Sequence, residues 1–338
     1  MSEELVCLNC FGNPGLRVWV AANQIDAEDY DEPKCHFCPR EKSSSVLADV
    51  SESGSYILEC VEARYADPAE ELPYETAEGG YQGEVLDAYE VLHCAELDLP
   101  HDSKNKLQDY LASYLSDHDW CEKDYFALRE DQALRYSWDS YVRVAREGTV
   151  LEFMYGENPG DWEEIPPAEL LEWLTERASE FDLVKNLKVN HRLSRVRLQE
   201  SGGQYTTSVD LGPPPACLAR QPNRLNPRNT EMMYASDDAK TALAETVGGG
   251  GLYAVGEFCL LDQLRVLDLT QLPEPICFFD LENAHVRDAV FFLRHFAKQV
   301  SLPLSHVADP DIEYRPTQII TQHFRRHLRP ASTGDNTL

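Results

Sequence analysis

Four cysteines near the start of the chain restrict its folding more than any other feature. Cys7 and Cys10 form one C-x-x-C pair and Cys35 and Cys38 a second, with Gly12, Gly15 and Pro33 between them. Two such knuckles bring four thiolates to tetrahedral spacing around one Zn²⁺, and a short segment meets that requirement only by folding back on itself. The competing explanations are four unliganded thiols and a redox pair. A redox pair calls for a helix start after a strand, and neither C-x-x-C has that frame. His36 lies inside the second knuckle and is a substitute ligand, but four thiolates are already present. A closed four-thiolate set leaves no open coordination position, so the predicted role of Zn²⁺ is structural, in a module spanning residues 1–42.

The charge balance narrows the function. Of 338 residues, 30 are Lys or Arg and 59 are Asp or Glu, a formal net charge of −29. That excess repels nucleic acid and anionic membrane surfaces over most of the exterior, so neither is expected as a partner. No run of about 18 apolar residues occurs, and MSEELVCLNC lacks the basic and apolar regions of a secretory signal. A cytoplasmic protein with reduced cysteines is therefore expected. Acid dominates residues 47–182, whereas Arg and Lys concentrate between 185 and 230. An anionic substrate belongs in that second region.

After the polar EKSSS, residues 46–165 read as a helical domain, with apolar positions at three and four spacing in VLDAYEVLHCAEL and KLQDYLASYL. Trp120 and Trp138 are expected in its core. Residues 166–189 open with Pro166 and Pro167 at a helix start and read as a helical linker. From residue 190 the pattern changes to the short β-prone runs RVRLQ, EMMYA, GLYAVGEFCL and QLRVLDL, with helical stretches at 237–246 and 284–300. This predicts a mixed α and β domain over 190–338. Between the first two runs lies LGPPPACLARQPNRLNPRNT, whose prolines forbid regular structure and whose arginines suit an anion. Tyr234 is expected at a strand end, Asp237 or Asp238 as a helix cap, and Glu245 near the end of that helix. The glycines 248–251 lack a following Lys-Ser/Thr and read as a flexible turn.

Two stretches resemble known families. ELPYETAEGGYQGEVLDAYEVL is similar to the helical domain that precedes RES domains, the HEPN/RES N-terminal domain. NRLNPRNTEMMYASDDAKTALAET is similar to the hallmark of RES domains, in which a loop Arg, a strand Tyr and a helix Glu recur. RVRLQ, LGPPP, QLRVLDL and EYRPTQIITQHFRR resemble the family's other motifs, in the right order over residues 194–328. The resemblance implies a multidomain protein: a zinc-ribbon-like module, an α-helical HEPN-like domain, and an α+β RES domain resembling the ADP-ribosyltransferase fold.

It also implies NAD⁺ as substrate, in a bacterial toxin or defence protein that hydrolyses NAD⁺ or passes ADP-ribose to a protein. Arg224, Tyr234 and Glu245 take the catalytic positions. Asn226 in the same loop joins the substrate contacts, as does an Arg from the first strand. Alternation puts Arg195 and Arg197 on one strand face, so either fits, with Arg195 preferred. An antitoxin, an acceptor protein and a second copy of the chain are the protein partners to expect. Catalytic HEPN ribonucleases carry an Arg and a nearby His on one helix; YVRVAREGTVLEF has Arg143 and Arg146 without the His, so ribonuclease activity is not expected.

The sequence departs from the RES pattern twice. Asn229 stands nearest the family's glycine, and Asn is the residue after glycine that best tolerates a left-handed backbone. RES members continue beyond the PTQ helix into a strand bearing DG, a tyrosine and a serine, whereas here RPASTGDNTL is polar and unsuited to a strand. Ser332 does not carry over as that serine. The alternative expectation is accordingly a catalytically impaired RES protein acting as a binding or adaptor module.

Overall fold

The computed structural model describes residues 4–26, 28, 30, 33–77, 79–102, 104–155, 165–199, 203–302 and 309–328. Its two compact units are Met1–Glu130 with Glu274–Phe291, and Asp131–Pro273 with Phe292–Leu338. The expected C-terminal tail, including Ser332, and the DWEE segment lie outside the described residues.

In the first unit, β1 (Leu5–Cys7) pairs antiparallel with β2 (Leu47–Asp49) in the register Leu5↔Asp49 to Cys7↔Leu47. That pairing carries the chain from the cysteine segment into the helical one across EKSSS. Asp49 then caps α1 (Val50–Glu62), its carboxylate accepting from Ser51 N. A capping box between Asp87 and Glu90 starts α2 (Ala88–Cys94), and α3 (Lys106–Ala112) follows. Leu5, Val6, Phe11, Ile57, Leu92, Leu111 and Trp120 are all buried in one core. Cys7 and Cys10 belong to that core too, so the first knuckle is packed with the helices, while Cys35 and Cys38 of the second are partly exposed. Residues 277–279 return to the same core; Tyr56 Oη donates to the Phe279 carbonyl at 3.0 Å.

The core of the second unit is built from the apolar stripes of amphipathic helices. Leu134, Trp138, Tyr141 and Ala145 recur at three and four spacing and are the buried stripe of α4 (Glu130–Glu147). Pro166 and Pro167 start α5 (Pro167–Glu180), which buries Leu170, Leu171, Leu174 and Ala178. These stripes meet Phe292, Leu293 and Phe296, and Ile320 and Phe324 of α9 (Arg315–His327). Trp138 stacks on Tyr141 with ring centroids 5.3 Å apart. The buried Tyr141 hydroxyl donates to the Pro316 carbonyl at 2.7 Å, which fixes the first turn of α9.

The strands of this unit form two antiparallel pairs. β3 (Val184–Leu187) pairs with β6 (Leu264–Leu267), and β4 (Arg192–Leu198) with β5 (Tyr253–Cys259). RVRLQ, GLYAVGEFCL and QLRVLDL thus coincide with strands. EMMYA does not: among the described residues it enters no ladder, and the bridge Ser194↔Ser236 lies just past its end. Its side chains bond to the preceding loop, the Glu231 carboxylate accepting from Ala216 N and the Tyr234 hydroxyl donating to Asn226 Oδ1. The one-turn α6 (Ser208–Leu211) follows β4, and Asp238 caps α7 (Ala239–Thr246), accepting from Thr241 N at 2.9 Å. The helix predicted at 284–300 is α8 (Arg287–Ser301), preceded by one 3₁₀ turn. The regular structure is a largely helical N-terminal part, a mixed α and β C-terminal part and an N-terminal cysteine cluster. No described helix is long and apolar enough to cross a membrane.

Candidate functional site

The four cysteines of the two knuckles converge. Cys7 Sγ lies 3.7 Å from Cys10 Sγ and 3.6 Å from Cys38 Sγ, and Cys10 Sγ lies 3.4 Å from Cys35 Sγ. Four sulfurs bound to Zn²⁺ at about 2.3 Å stand about 3.8 Å apart along a tetrahedron's edges, so the cluster fits that ion with little adjustment. Hydrogen bonds from Cys10 and Cys35 hold Cys7 well below the ordinary thiol range, whereas the Cys35 contact pushes Cys10 up. Burial pushes Cys38 up to about 12. Thiols this close cannot all ionise without a cation among them. His36 is not one of the cluster; its Nδ1 accepts from Leu5 N at 2.9 Å.

The arginine-rich loop is held from α9. Thr317 Oγ1 donates to the Arg224 carbonyl at 2.5 Å. Gln318, 7% exposed, donates through Nε2 to the carbonyls of Asn223 at 2.9 Å and Asn226 at 3.0 Å. The PTQ motif is therefore a clamp on the loop. Sequence reasoning gave these two residues no role, although a Thr-Gln pair directly after a helix-starting proline was a visible signal. Asn226, expected at the substrate, is 2% exposed; its Nδ2 donates to the carbonyls of Pro227 and Thr230 while its Oδ1 accepts from Tyr234. Asn229 has φ 58°, the left-handed conformation for which Asn is suited. Arg228 grips both carboxylate oxygens of Asp311, with Nη2 at 2.6 Å from Oδ2.

Tyr234 reaches the loop beside Arg224, its hydroxyl accepting from Leu225 N at 3.3 Å. The Arg224 charge acts on the half-buried Tyr234 phenol, whose pKa is nonetheless raised, mainly by burial. Arg224 Nη1 and Nη2 donate to the carbonyls of Ser301 and Leu302, at 3.0 and 2.8 Å, at the end of α8. Its side chain also lines a 370 Å³ cavity with Trp138, Arg146 and Tyr314. Arg146, one of the two arginines in the expected HEPN segment, is paired there with Glu313 at 2.6 Å. Glu245 is exposed near the end of α7, one turn beyond the buried Ala242. Among the described residues no hydrogen bond or ion pair joins it to Arg224 or Tyr234.

Arg195 and Arg197 stand on one face of β4, as alternation requires. Their cross-strand partners on β5 are Gly256 and Ala254, small residues that leave space for two guanidinium groups. Leu211 fills part of that space: a Cβ on Gly256 would meet Leu211 Cδ1 at 2.7 Å. Arg197 donates to the Asp210 carbonyl at 2.7 Å and lies 5.0 Å from the centroid of the Tyr205 ring. Arg195 differs, because its Nη1 is buried without a hydrogen-bond partner among the described residues. Burial and the neighbouring Arg197 both push its pKa down, and among the described residues no carboxylate offsets them.

Comparison with known families supplies two matches. The family model described as HEPN/RES N-terminal domain 1 matches residues 28–154, and the RES domain model matches residues 192–334. No curated protein and no solved structure matches the chain.

Proposed function

This chain joins a HEPN/RES N-terminal domain to a RES domain, and on that footing we propose that it cleaves the nicotinamide–ribose bond of NAD⁺. The observation that carries the proposal is the Arg195 guanidinium, half-buried beside Arg197 with an Nη1 that has no partner among the described residues. A buried cation next to a second cation is costly unless an anion joins them, and the diphosphate of NAD⁺ is such an anion. Arg224 uses two N–H groups on the end of α8 and has others left for the same diphosphate. Tyr234 supplies an aromatic surface for the nicotinamide ribose.

In this reading Glu245 faces the anomeric carbon. The C–N bond breaks, and nicotinamide leaves with the bonding pair as a neutral molecule, so no acid is needed. The carboxylate stabilises the oxocarbenium-like ribose and takes the proton of the attacking water, giving ADP-ribose, nicotinamide and H⁺. A protein nucleophile in place of water gives ADP-ribosyl transfer. The domain would adopt the ADP-ribosyltransferase fold and act as a cytoplasmic toxin or defence enzyme, with an antitoxin, an acceptor protein or a second copy as partner. The cysteine cluster would hold structural Zn²⁺ in residues 1–42, followed by the helical domain at 46–165, the linker at 166–189 and the RES domain at 190–338.

A specific observation favours a second reading, a binding or adaptor module: Arg224 is already engaged on carbonyls, and Glu245 stands apart from it in every described bond. Nicotinamide release from NAD⁺ separates the two. Release by the native chain that is lost in Glu245→Gln supports the enzyme; no release from either supports the adaptor.

A further inference from the structure

We infer that Glu172, His323 and His327 form a second metal site, for one divalent transition ion of the Zn²⁺ class. His323 and His327 are four residues apart on α9, so both imidazoles project from one helix face, and their ring centroids lie 4.1 Å apart. Glu172 reaches them from α5, with Oε2 4.0 Å from His327 Nε2. One ligand atom from each of the three side chains lies within 4.8 Å of the others. Two imidazoles and a carboxylate suit Zn²⁺ or its neighbours in the first transition row, not Ca²⁺ or Mg²⁺.

The surrounding hydrogen bonds are those a metal site needs. His327 Nδ1 stands 3.0 Å from the His323 carbonyl, which can only accept, so the proton is on Nδ1 and Nε2 is bare on the side of Glu172. His323 Nε2 lies 2.8 Å from Thr175 Oγ1, whose own proton goes to the Leu171 carbonyl at 3.0 Å, so the neutral ring donates through Nε2 and its lone pair is on Nδ1. Glu172 is 62% exposed and His327 40%, so an ion has an entry path. All three residues line a cavity of about 490 Å³, which leaves a fourth coordination position for water.

None of these residues belongs to the cysteine cluster or to the proposed NAD⁺ site, so the inference stands independently of both. An ion here ties α5 to α9, the helix whose Thr317 and Gln318 clamp the arginine loop.

The test is equilibrium dialysis of the full chain against buffered Zn²⁺, with metal and protein measured on the retentate. The native chain should hold roughly two zinc ions, one at each site, and the His323→Ala/His327→Ala variant roughly one. Glu172→Gln, which changes an exposed side chain and leaves the core untouched, should weaken the second ion at least about tenfold. Circular dichroism checks that each variant is folded, and should the double variant unfold, Glu172→Gln gives the answer. A zinc content that is the same in the native chain, in Glu172→Gln and in every folded histidine variant overturns the inference, whatever the cysteine cluster holds.

Discussion

Tyr234 Oη donates to Asn226 Oδ1 across 2.6 Å and accepts from Leu225 N at 3.3 Å, so one phenol closes the arginine loop on itself. Asn226 is buried, and without that donor its Oδ1 is left unsatisfied. Tyr234→Phe should therefore destabilise the chain by about 1–3 kcal/mol, more than an ordinary surface hydroxyl costs. Urea titration of both forms measures it; equal midpoints would mean that the loop does not depend on the contact.

The orphaned Arg195 leads to a prediction of opposite signs. Arg195→Met keeps the volume and removes an uncompensated charge, so the ligand-free chain should gain on the order of 1 kcal/mol. NAD⁺ affinity should fall by at least about tenfold, since a hydrogen bond to a charged group contributes about 1.5–3 kcal/mol. Denaturation and calorimetric binding on the same preparation read both. A variant that is less stable and binds NAD⁺ equally well would show that the guanidinium is structural.

Much of this was legible in the sequence because the signals were local. C-x-x-C spacing placed all four cysteines, period-two alternation put Arg195 and Arg197 on one face, and Pro166–Pro167 marked the start of α5. What stayed hidden depended on partners far along the chain. EMMYA has strand composition but enters no ladder among the described residues. The clamp of Gln318 on Asn223 and Asn226 joins residues more than ninety positions apart, and no periodicity reports it. Phe279 likewise completes the core of the first unit from beyond residue 270. Glu245 was legible as a position after the helix cap at Asp238, whereas its exposed place without a bond to Arg224 or Tyr234 among the described residues was not.

Alkaline pH should weaken the first unit. Burial pushes both Tyr56 and Tyr65 up to about 12 from the ordinary value of 10.0. Below pH 10 both phenols are neutral in either state and the stability is fully present. Between about 10 and 12 the unfolded chain gives up protons that the folded one keeps, so stability falls. Urea midpoints across that range should decline, and Tyr56→Phe should flatten the decline. An unchanged slope in the variant would remove Tyr56 from the account.

The cysteine cluster predicts a metal dependence. Cys10 is buried at the centre of the cluster, so Cys10→Ser should lose the zinc bound there and cost more than about 4 kcal/mol, a loss confined to mechanisms such as removal of a structural metal. Zinc analysis and thermal melting check it, and a variant that melts with the native chain would leave the cysteines as unliganded core.

The most direct test of the central claim is nicotinamide release from NAD⁺ by the purified chain, followed by chromatography beside Glu245→Gln. The account predicts release by the native protein and a fall of at least about a hundredfold in the variant, the size of effect expected when a transition-state charge loses its stabilising partner. No release from native protein, or equal release from both, would contradict it.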